Sequence, residues 1–466
     1  MESRRMLLKH HIIAAKEPIT QVLQAESAPN TQYAISGTKV VATMGPACHD
    51  AETLKRMLLA GAVGARVDLT WGPLDFHRRS LHNLQVAMRE TKRLCCTLVD
   101  TLGRELMIRR PVKIDEKGWP VHEESISVVA GARVVLTTRE DIECTVTPTE
   151  TILPITYDRF TDMAEKGDTI YIGRYLVCGA DSASLYLEVE EVAGPNVVCV
   201  AKNDAHLDGL LTVFHTERSS DTLLNVQNQL PLLSAYDKEC IEVLAKDYEL
   251  DFISLSYTRD GEDVRECRRW LDSVGLTTTK ILAKLETRQS LLNFGDILAE
   301  ADGIVISRGN LGLDVQPEKM ALVQKSLIQG SSVVGKPILV TRVVDTMTDS
   351  PRPTRAEATD VANAVLDGAD GILLGAETLR GHYPVESVAM IARISRSAER
   401  VFDHRGLFES LMEMAVETED RTGRAARSLF HQSHAAHHHR SGERGGSGSS
   451  SDEEEEEVEV EEEDDA

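Results

Sequence analysis

Eight short apolar runs recur between residues 38 and 403, and each ends in polar residues before a loop and a segment of helical periodicity follow. Short apolar runs of this kind are typical of strands buried on both faces of a sheet. The predicted strands are Lys39–Thr43, Ala65–Leu69, Leu94–Asp100, Phe252–Ser256, Ile281–Leu285, Gly303–Ile306, Pro337–Thr341 and Gly371–Leu374. The predicted helices are Asp50–Ala60, Asp75–Thr91, Glu262–Ser273, Ser290–Ala299, Pro317–Gln329, Ala356–Leu366 and Val385–Val401. This repeated rhythm predicts an α/β fold, a (β/α)8 TIM barrel whose active site lies at the carboxyl ends of the strands.

One interruption of the rhythm lies between Leu106 and about Asn225, where short β-rich runs and turn signals replace it. The predicted strands there are Val128–Thr137, Thr169–Tyr175, Ser184–Val189 and Asn196–Ala201. They indicate a small β-rich domain inserted after strand 3, a suitable cap for excluding water from a barrel mouth. The predicted organisation is an N-terminal arm (1–37), the barrel (38–107 and 226–403), the inserted β domain (108–225), and a degenerate C-terminal remnant with a disordered His-, Gly-, Ser- and acid-rich tail (404–466).

Charge is concentrated at one end of the chain. The formal net charge is −24, and Asp452–Asp465 alone contributes 12 acidic residues. A long run of like charges repels itself, which predicts a disordered acidic tail. The rest of the chain is only moderately acidic, and this argues against nucleic-acid binding and against binding to a membrane surface.

The cysteines and the apolar runs predict a cytoplasmic protein. The eight cysteines include no Cys-x-x-Cys pair, and several lie inside apolar runs, as reduced and buried thiols do. No apolar run reaches the ~20 residues that a membrane-spanning helix needs. The N-terminus also lacks the apolar core of a signal peptide.

The fifth predicted strand carries the most suggestive pair of charged residues. Lys284 and Glu286 are two residues apart, so strand alternation places both side chains on one face. A carboxylate at such a place can hold a divalent metal, and an ammonium can neutralise oxygens during phosphoryl transfer. A purely structural ion pair is the alternative interpretation of these two residues alone.

Other strand ends carry residues of the same chemical character. They are Thr43 to Pro46 after the first strand, Arg66, Asp68 and Thr70 at the second, Asp100 and Thr101 at the third, Ser256 at the fourth, Arg308 and Asn310 after the sixth, and Thr341 at the seventh. Arginines suit phosphate, while carboxylates and hydroxyls suit hard cations. A helix beginning near Gly309 would also offer backbone amides to an anion. This convergence favours a site for a charged, phosphorylated substrate.

The sequence resembles the pyruvate kinase family, and more narrowly its plant-type cytosolic branch, from Thr38 to about Phe402. The resemblance rests on motifs whose order and spacing agree with that family: Thr38-Lys-Val-Val-Ala-Thr-Met-Gly-Pro, Ala65-Arg-Val-Asp-Leu-Thr-Trp-Gly, Asp100-Thr-Leu-Gly-Arg-Glu, Ala283-Lys-Leu-Glu, Ser307-Arg-Gly-Asn-Leu-Gly, Gly335-Lys-Pro-Ile-Leu-Val-Thr-Arg and the long block from Arg352 to Gly368. The inserted β domain after strand 3 also agrees.

The resemblance implies phosphoryl transfer from phosphoenolpyruvate to ADP, giving pyruvate and ATP in glycolysis. It implies that Arg66 and Lys284 bind the transferring phosphate, and that Thr341 helps to deliver the proton which converts enolate to ketone. It further implies a substrate-carboxylate site at Gly309, Asn310 and Thr341. Nucleotide contacts are implied at Pro46 and Arg66. Mg²⁺ would be held by Glu286 and Asn310, and K⁺ by Asp68, Thr70, Asp100 and Thr101, with Glu105 at a position where glutamate accompanies potassium dependence.

Several residues depart from the common family pattern. Asn310 stands where most members have an aspartate, which predicts weaker binding of Mg²⁺ because the amide carries no charge. Leu102, Arg104 and Met107 alter the segment after Asp100, and Trp71 replaces a histidine on the nucleotide side. The sequence after the barrel retains little of the family's usual C-terminal domain, so effector control through that domain is not expected. A homo-oligomer through the Arg352–Gly368 block of the barrel is expected instead.

Two alternatives to an active kinase stay open at this point. One is a catalytically impaired paralogue that acts as a binding or regulatory partner, with the acidic tail as its interaction surface. The other is a different metal-dependent enolate enzyme on the same barrel. The retained Lys284, Glu286, Arg66 and Thr341 favour the active kinase.

Overall fold

The structure is a computed structural model, and it describes residues 36–110, 113–114, 120–121, 125–147, 150–174, 184–207, 211–215 and 230–412. The chain divides into two compact units, Met1–Leu411 and Met412–Ala466, and nearly all described residues belong to the first. The predicted arm at 1–37, apart from its last two residues, and the predicted acidic tail lie outside the described residues. No helix in the described ranges combines the length and the apolarity that crossing a membrane requires.

Eight parallel strands close into a barrel. In chain order they are β1 (Lys39–Thr43), β2 (Ala62–Asp68), β3 (Cys96–Asp100), β15 (Phe252–Leu255), β16 (Lys280–Leu285), β17 (Gly303–Ile306), β18 (Ile338–Thr341) and β19 (Gly371–Leu374). The strands of the inserted segment, described below, take the numbers in between. Each strand pairs with its neighbour in this order, and β1 also pairs with β19, so the ring has no free edge. The predicted barrel is confirmed.

Strand alternation divides the barrel residues between two cores. Leu98, Leu282, Leu339 and equivalent residues of three other strands form a small buried cluster of their own. Their chain neighbours, such as Ile281, belong to the large cluster shared with the helices. The small cluster therefore lines the barrel interior. Every second residue beyond it, towards the carboxyl end of each strand, points to the barrel mouth.

Helices follow most of the barrel strands. They are α1 (Ala51–Ala60), α2 (Leu74–Thr91), α3 (Ala235–Asp247), α4 (Gly261–Ser273), α5 (Arg288–Leu292), α6 (Phe294–Glu300), α7 (Arg308–Asp314), α8 (Pro317–Val333), α9 (Arg355–Leu366), α10 (Ala376–Leu379) and α11 (Pro384–Glu399). Several begin at side-chain caps that the sequence supplies. Asp50 accepts a hydrogen bond from the Thr53 amide at 2.9 Å, and Thr354 forms a capping box with Glu357.

The inserted segment between β3 and α3 forms its own sheet. Its strands are β4 (Lys113–Ile114), β5 (Pro120–Val121), β6 (Ile126–Val128), β7 (Arg133–Thr137), β8 (Thr145–Val146), β9 (Thr151–Pro154), β10 (Thr169–Arg174), β11 (Ser184–Ala193), β12 (Asn196–Ala201), β13 (Ala205–Leu207) and β14 (Leu211–His215). Seven of them pair in the order β14-β10-β11-β12-β7-β9-β8. Residues such as Leu136 and Leu187 build a hydrophobic core distinct from the barrel's.

Two predicted elements are each divided into two in the structure. The single helix predicted at Ser290–Ala299 is two helices, α5 and α6, because Asn293 ends the first and begins the second. The strand predicted at Val128–Thr137 is also divided, since Gly131 adopts a φ of +83° in the turn between β6 and β7.

Candidate active site

Lys284 lies at the centre of the barrel mouth. Its position two residues beyond Leu282 of the interior cluster places its ammonium at the carboxyl end of β16. Its Nζ lies 3.3 Å from Asp100 Oδ1 and 3.2 Å from Glu286 Oε1, and it donates a hydrogen bond to Ser256 Oγ at 3.0 Å. Asp100 of β3 and the residues that follow β15 and β16, Ser256 and Glu286, thus meet around one nitrogen.

The charges around Lys284 keep its side chain protonated. Burial acts to lower the pKa of this ammonium, but the carboxylates of Asp100 and Glu286 outweigh burial, and the pKa lies above its ordinary value. A side chain that is only 7% exposed therefore carries a full positive charge. Such a cation can stabilise negative charge that develops beside it.

Arg66 at the end of β2 is fixed by the same carboxylates. Its guanidinium contacts Asp68 closely, and its Nη1 lies 3.4 Å from Asp100 Oδ2. Asp68 in turn accepts hydrogen bonds at Oδ1 from the Thr70 amide at 3.1 Å and the Thr70 hydroxyl at 2.5 Å. The second and third strands therefore bring a buried guanidinium and several oxygen ligands together.

Thr101 joins this group through the backbone of β15. Its Oγ1 donates to Ser254 O at 3.3 Å and accepts from the Ser256 amide at 3.0 Å, while its carbonyl accepts from Ser256 Oγ at 2.5 Å. These contacts hold the end of β3 against β15.

Glu105 is a buried carboxyl group close to these acids. It is 7% exposed, and its Oε1 has no hydrogen-bond partner in the described part of the chain. Burial and the negative charge of Glu286 raise the pKa of Glu105 well above its ordinary value. A cation bound among these oxygens would relieve the repulsion between the acids. Glu105 and its neighbours therefore fit a cation site.

Glu286 and Asn310 face each other across the mouth. Glu286 Oε2 accepts the Tyr257 amide at 2.7 Å, and Oε1 accepts the Asn310 amide nitrogen at 2.9 Å. In the described ranges no three Asp, Glu, His or Cys side chains converge as a metal site. One carboxylate with one amide still suits Mg²⁺, which keeps several waters and uses few protein ligands. The Asn310 carboxamide must turn to present its oxygen.

Thr341 ends β18 beside the first turn of α7. Its hydroxyl donates to Ile306 O at 3.1 Å and accepts from the Arg308 amide at 3.2 Å. Gly309 and Asn310 occupy that first turn, where backbone amides have no partner within a helix. Thr341 therefore lies beside a helix start whose amides can bind an anionic group.

Arg308, which the sequence groups with the phosphate-binding strand-end residues, has its guanidinium engaged elsewhere in the structure. Its guanidinium pairs with Asp360 of α9 at 2.6 and 3.0 Å and donates to Gln324 Oε1 at 3.1 Å. Its Nε donates to Thr341 O at 2.8 Å. Arg308 is thus tied into α8 and α9, and it supports Thr341.

A separate face of the mouth carries Pro46, Trp71 and Arg380. Pro46 is exposed after β1, and the next amide, from Ala47, donates to Leu379 O at 3.1 Å. Arg380 places its guanidinium 5.9 Å from the centre of the Trp71 ring. A flat indole beside a cation offers contacts to a planar base and to phosphate.

Two buried acids near the mouth, Asp237 and Asp263, were not predicted from the sequence. Asp237 accepts the amides of Leu102 and Gly103, and Asp263 forms a two-pronged ion pair with Arg104. The Ser234-x-x-Asp237 spacing, a capping-box pattern, was the available signal for the first of them. No local pattern indicates the second.

Comparison with known proteins agrees with this geometry. A family model for the barrel domain of pyruvate kinase matches residues 35–388. "Pyruvate kinase 2, cytosolic" from Oryza sativa subsp. indica is 46% identical over 367 residues, which cover 78% of this chain and 66% of the rice protein. The cytosolic isozyme of Glycine max is 34% identical over 377 residues, covering 80% of this chain and 68% of the relative.

Solved structures give the same result. A crystal structure of Cryptosporidium parvum pyruvate kinase superimposes with a TM-score of 0.70 at 28% identity, and the match covers 81% of this chain and 74% of that one. The chain thus matches slightly less than two thirds of the length of the rice relatives.

Proposed function

The chain belongs to the pyruvate kinase family, and from that premise we propose that it transfers the phosphoryl group of phosphoenolpyruvate to ADP, giving pyruvate and ATP. One observation carries the proposal: at the carboxyl ends of the strands, Lys284 and Arg66 each place a nitrogen within 3.4 Å of the same Asp100 carboxylate. This is the part of a (β/α)8 barrel where substrates bind.

Lys284 and Arg66 are proposed to bind the transferring phosphoryl group. Phosphoryl transfer proceeds through a state in which charge is spread over the phosphoryl oxygens, so fixed cations beside them lower the barrier. Both cations are buried and held in place before substrate arrives. Little reorganisation is then required at the moment of transfer.

Thr341, Gly309 and Asn310 are proposed to bind the substrate carboxylate. The first-turn amides of α7 can donate to it, and the Thr341 hydroxyl lies next to them. That hydroxyl is also the group proposed to assist proton delivery to the enolate carbon, which completes pyruvate.

The family requires a divalent and a monovalent cation, and we propose Mg²⁺ and K⁺ for this chain. Mg²⁺ bound to Glu286 and Asn310 would neutralise charge on the substrate and the transferring group. Asp68, Thr70, Asp100 and Thr101 are proposed to surround K⁺. The raised pKa of the neighbouring Glu105 supports a cation there, because burial and the nearby acids disfavour its ionised form unless a positive charge is close.

The nucleotide is proposed to enter along Pro46, with its phosphates reaching Arg66. The proposed barrel domain comprises residues 38–107 and 226–403, and the inserted domain comprises residues 108–225. The inserted sheet would close over the bound substrates and exclude water. Its connection to the barrel begins at Leu102, immediately after the candidate cation ligands.

The proposed partners are phosphoenolpyruvate and ADP, with a homo-oligomer formed through the barrel around α9. The names of the plant relatives, which are cytosolic pyruvate kinases, support a cytoplasmic location. No observation on the described residues supports a nucleic acid or a membrane as partner.

The test is a coupled assay of pyruvate release from phosphoenolpyruvate and ADP, with and without Mg²⁺ and K⁺. Lys284→Met is expected to lower kcat by roughly 10²–10³-fold or more, because it removes a cation from the transferring group. The matched control is Lys280→Met on the same strand, whose ammonium is 58% exposed and pairs with Asp302. Normal turnover of Lys284→Met would remove Lys284 from the reaction. A folded wild-type protein that binds Mg-ADP without turnover would overturn the proposed activity.

A further inference from the structure

Two connections join the barrel to the inserted sheet, and they run side by side. The outgoing connection follows β3 through Leu102–Glu105, and the returning one passes through Leu230–Ser234 into α3. Arg104 Nε donates to Leu230 O at 3.2 Å. A methyl group on Gly103 would lie 3.3 Å from Leu232 O, so the two backbones are in contact.

One carboxylate binds both connections. Asp237 Oδ1 accepts the Leu102 amide at 2.7 Å, and Oδ2 accepts the Gly103 amide at 3.0 Å. The same Oδ2 accepts the amide and the hydroxyl of Ser234, each at 2.8 Å. Asp237 is 0% exposed. Its four hydrogen bonds therefore form without competition from water. Hydrogen bonds to a charged group are strongest in such a buried environment.

The connection that Asp237 fixes carries candidate site residues on both sides. Asp100 and Thr101 precede Leu102, and Glu105 follows Arg104. Gly103, at a φ of +59°, packs against Ser256, whose hydroxyl contacts both Thr101 O and Lys284 Nζ. A shift of Leu102 and Gly103 would therefore displace the ligands proposed for the monovalent cation.

We propose that Asp237 is a positioning residue that fixes the pivot of the inserted sheet and, through the same hydrogen bonds, sets the affinity of the monovalent cation site. The second part rests on the proposed function. Asp237 itself touches no candidate ligand; it acts through the backbone of Leu102 and Gly103. When the sheet opens, the chain then bends after Gly103 on the way out and before Ser234 on the way back. Asp100 and Thr101 stay in place.

Asp237→Asn is the first test. An amide has one acceptor atom in place of two, so it cannot accept from Leu102 on one side and from Gly103 and Ser234 on the other. Hydrogen exchange of the peptide 101–106, followed by mass spectrometry, is expected to become about tenfold faster or more. Peptides from β17 are expected to keep wild-type exchange.

Cation dependence is the second readout. In Asp237→Asn the K⁺ concentration giving half-maximal turnover is expected to rise about tenfold, while kcat at saturating K⁺ stays within about twofold. A loss of folded protein would instead lower kcat without changing the K⁺ requirement. The matched control is Asp247→Asn, the same substitution on the same helix, at an aspartate that is 46% exposed and pairs with Arg78.

The two proposals fail separately. If the wild-type protein shows no turnover, the exchange of peptide 101–106 still tests the pivot. Unchanged exchange in Asp237→Asn, or faster exchange with an unchanged K⁺ requirement in an active enzyme, overturns the positioning role. If Asp237→Asn does not fold, Ser234→Ala, which removes one donor, is expected to accelerate exchange of the same peptide by a smaller factor, roughly two- to tenfold. Wild-type exchange in that variant also overturns the proposal.

Discussion

At the scale of single residues, the site is short of negative charge at one position and has an excess at another. The uncharged Asn310 amide donates a hydrogen bond to one oxygen of Glu286, whereas Glu105 adds a carboxyl group to a region that already holds Asp68 and Asp100. Each imbalance corresponds to one proposed cation, and each can be tested by exchanging an acid and its amide.

Asn310→Asp is expected to tighten binding of the divalent cation by about tenfold, because ligand charge raises affinity for Mg²⁺. Without metal the same variant is expected to be less stable than wild type, since the 2.9 Å hydrogen bond to Glu286 becomes a contact between two carboxylates. Thermal unfolding measured across a Mg²⁺ titration checks both effects. An unchanged Mg²⁺ requirement would place Asn310 outside the metal's ligands.

Glu105→Gln is expected to change the pH dependence of stability. The folded-state pKa of Glu105 lies above its unfolded value of 4.5, so between the two values the folded protein holds a proton that the unfolded chain has lost. The free energy of unfolding therefore falls as pH rises through that interval, by up to about 1.4 kcal/mol per pH unit. The glutamine variant lacks this decline.

Urea unfolding of both proteins at several pH values, in a potassium-free buffer, measures the difference. Added K⁺ is expected to stabilise the wild type more than the variant, because a cation near Glu105 favours its ionised form. Parallel curves for the two proteins would show that Glu105 does not titrate in this interval.

At the scale of elements, the loops after the strands are held by buried polar contacts rather than by helix packing alone. Arg104 in the connection after β3 pairs with Asp263 of α4 at 2.6 and 2.8 Å, and both side chains are about 10% exposed. Thr341 is held in a comparable way by Arg308. These contacts fix the ends of strands that belong to different parts of the sequence.

Arg104→Met is expected to lower the free energy of unfolding by about 3 kcal/mol or more, because it leaves the Asp263 carboxylate buried without its ion pair. The control is Arg265→Met on α4, the helix that carries Asp263. Its guanidinium is 47% exposed and pairs with Glu262 and Glu300, so its removal should cost less than about 1 kcal/mol. Chemical denaturation compares the two, and equal losses would contradict the role of burial.

The sequence was sufficient for elements whose pattern is local. Gly303–Ile306 and Gly371–Leu374 were predicted with the bounds that the structure has, because short apolar runs between polar residues define both ends. Helix α3 was overlooked. Its first turn carries a polar capping box, and its apolar residues are interspersed with acids and lysines, so its periodicity is weak.

The candidate site was predictable only in part for a related reason. Strand alternation and a parallel barrel place Arg66, Lys284 and Thr341 at one mouth without further information. The direction of a long side chain on a loop is decided by contacts distant in sequence. Arg308 therefore pairs with Asp360, and Arg104 with Asp263, and neither pair follows from spacing along the chain.

At the scale of the described part of the chain, the barrel and the inserted sheet have separate hydrophobic cores. The barrel core includes residues such as Ile253 and Ile304, and the core of the inserted sheet includes Leu136 and Leu187. Regions with separate cores open separately, and each has its own free energy of opening.

Leu136→Ala is expected to destabilise the inserted sheet by about 2–5 kcal/mol, since the side chain is fully buried and leaves a cavity. Hydrogen exchange of peptides from β7 and β12 should become faster, while peptides from β16 and β17 keep their wild-type rates. Equal acceleration in both sets would show that the two cores unfold as one.

The pairing of β1 with β19 also sets an order of events during translation. A ribosome adds roughly 5–20 residues per second. All strands of the inserted sheet lie in one segment of the chain, so the sheet can form within seconds after its last strand has been synthesised. The first three barrel strands must wait on the order of tens of seconds longer for β19. In that interval a nascent chain is expected to carry a finished sheet beside barrel strands whose apolar faces are still uncovered, and such exposed strands favour aggregation.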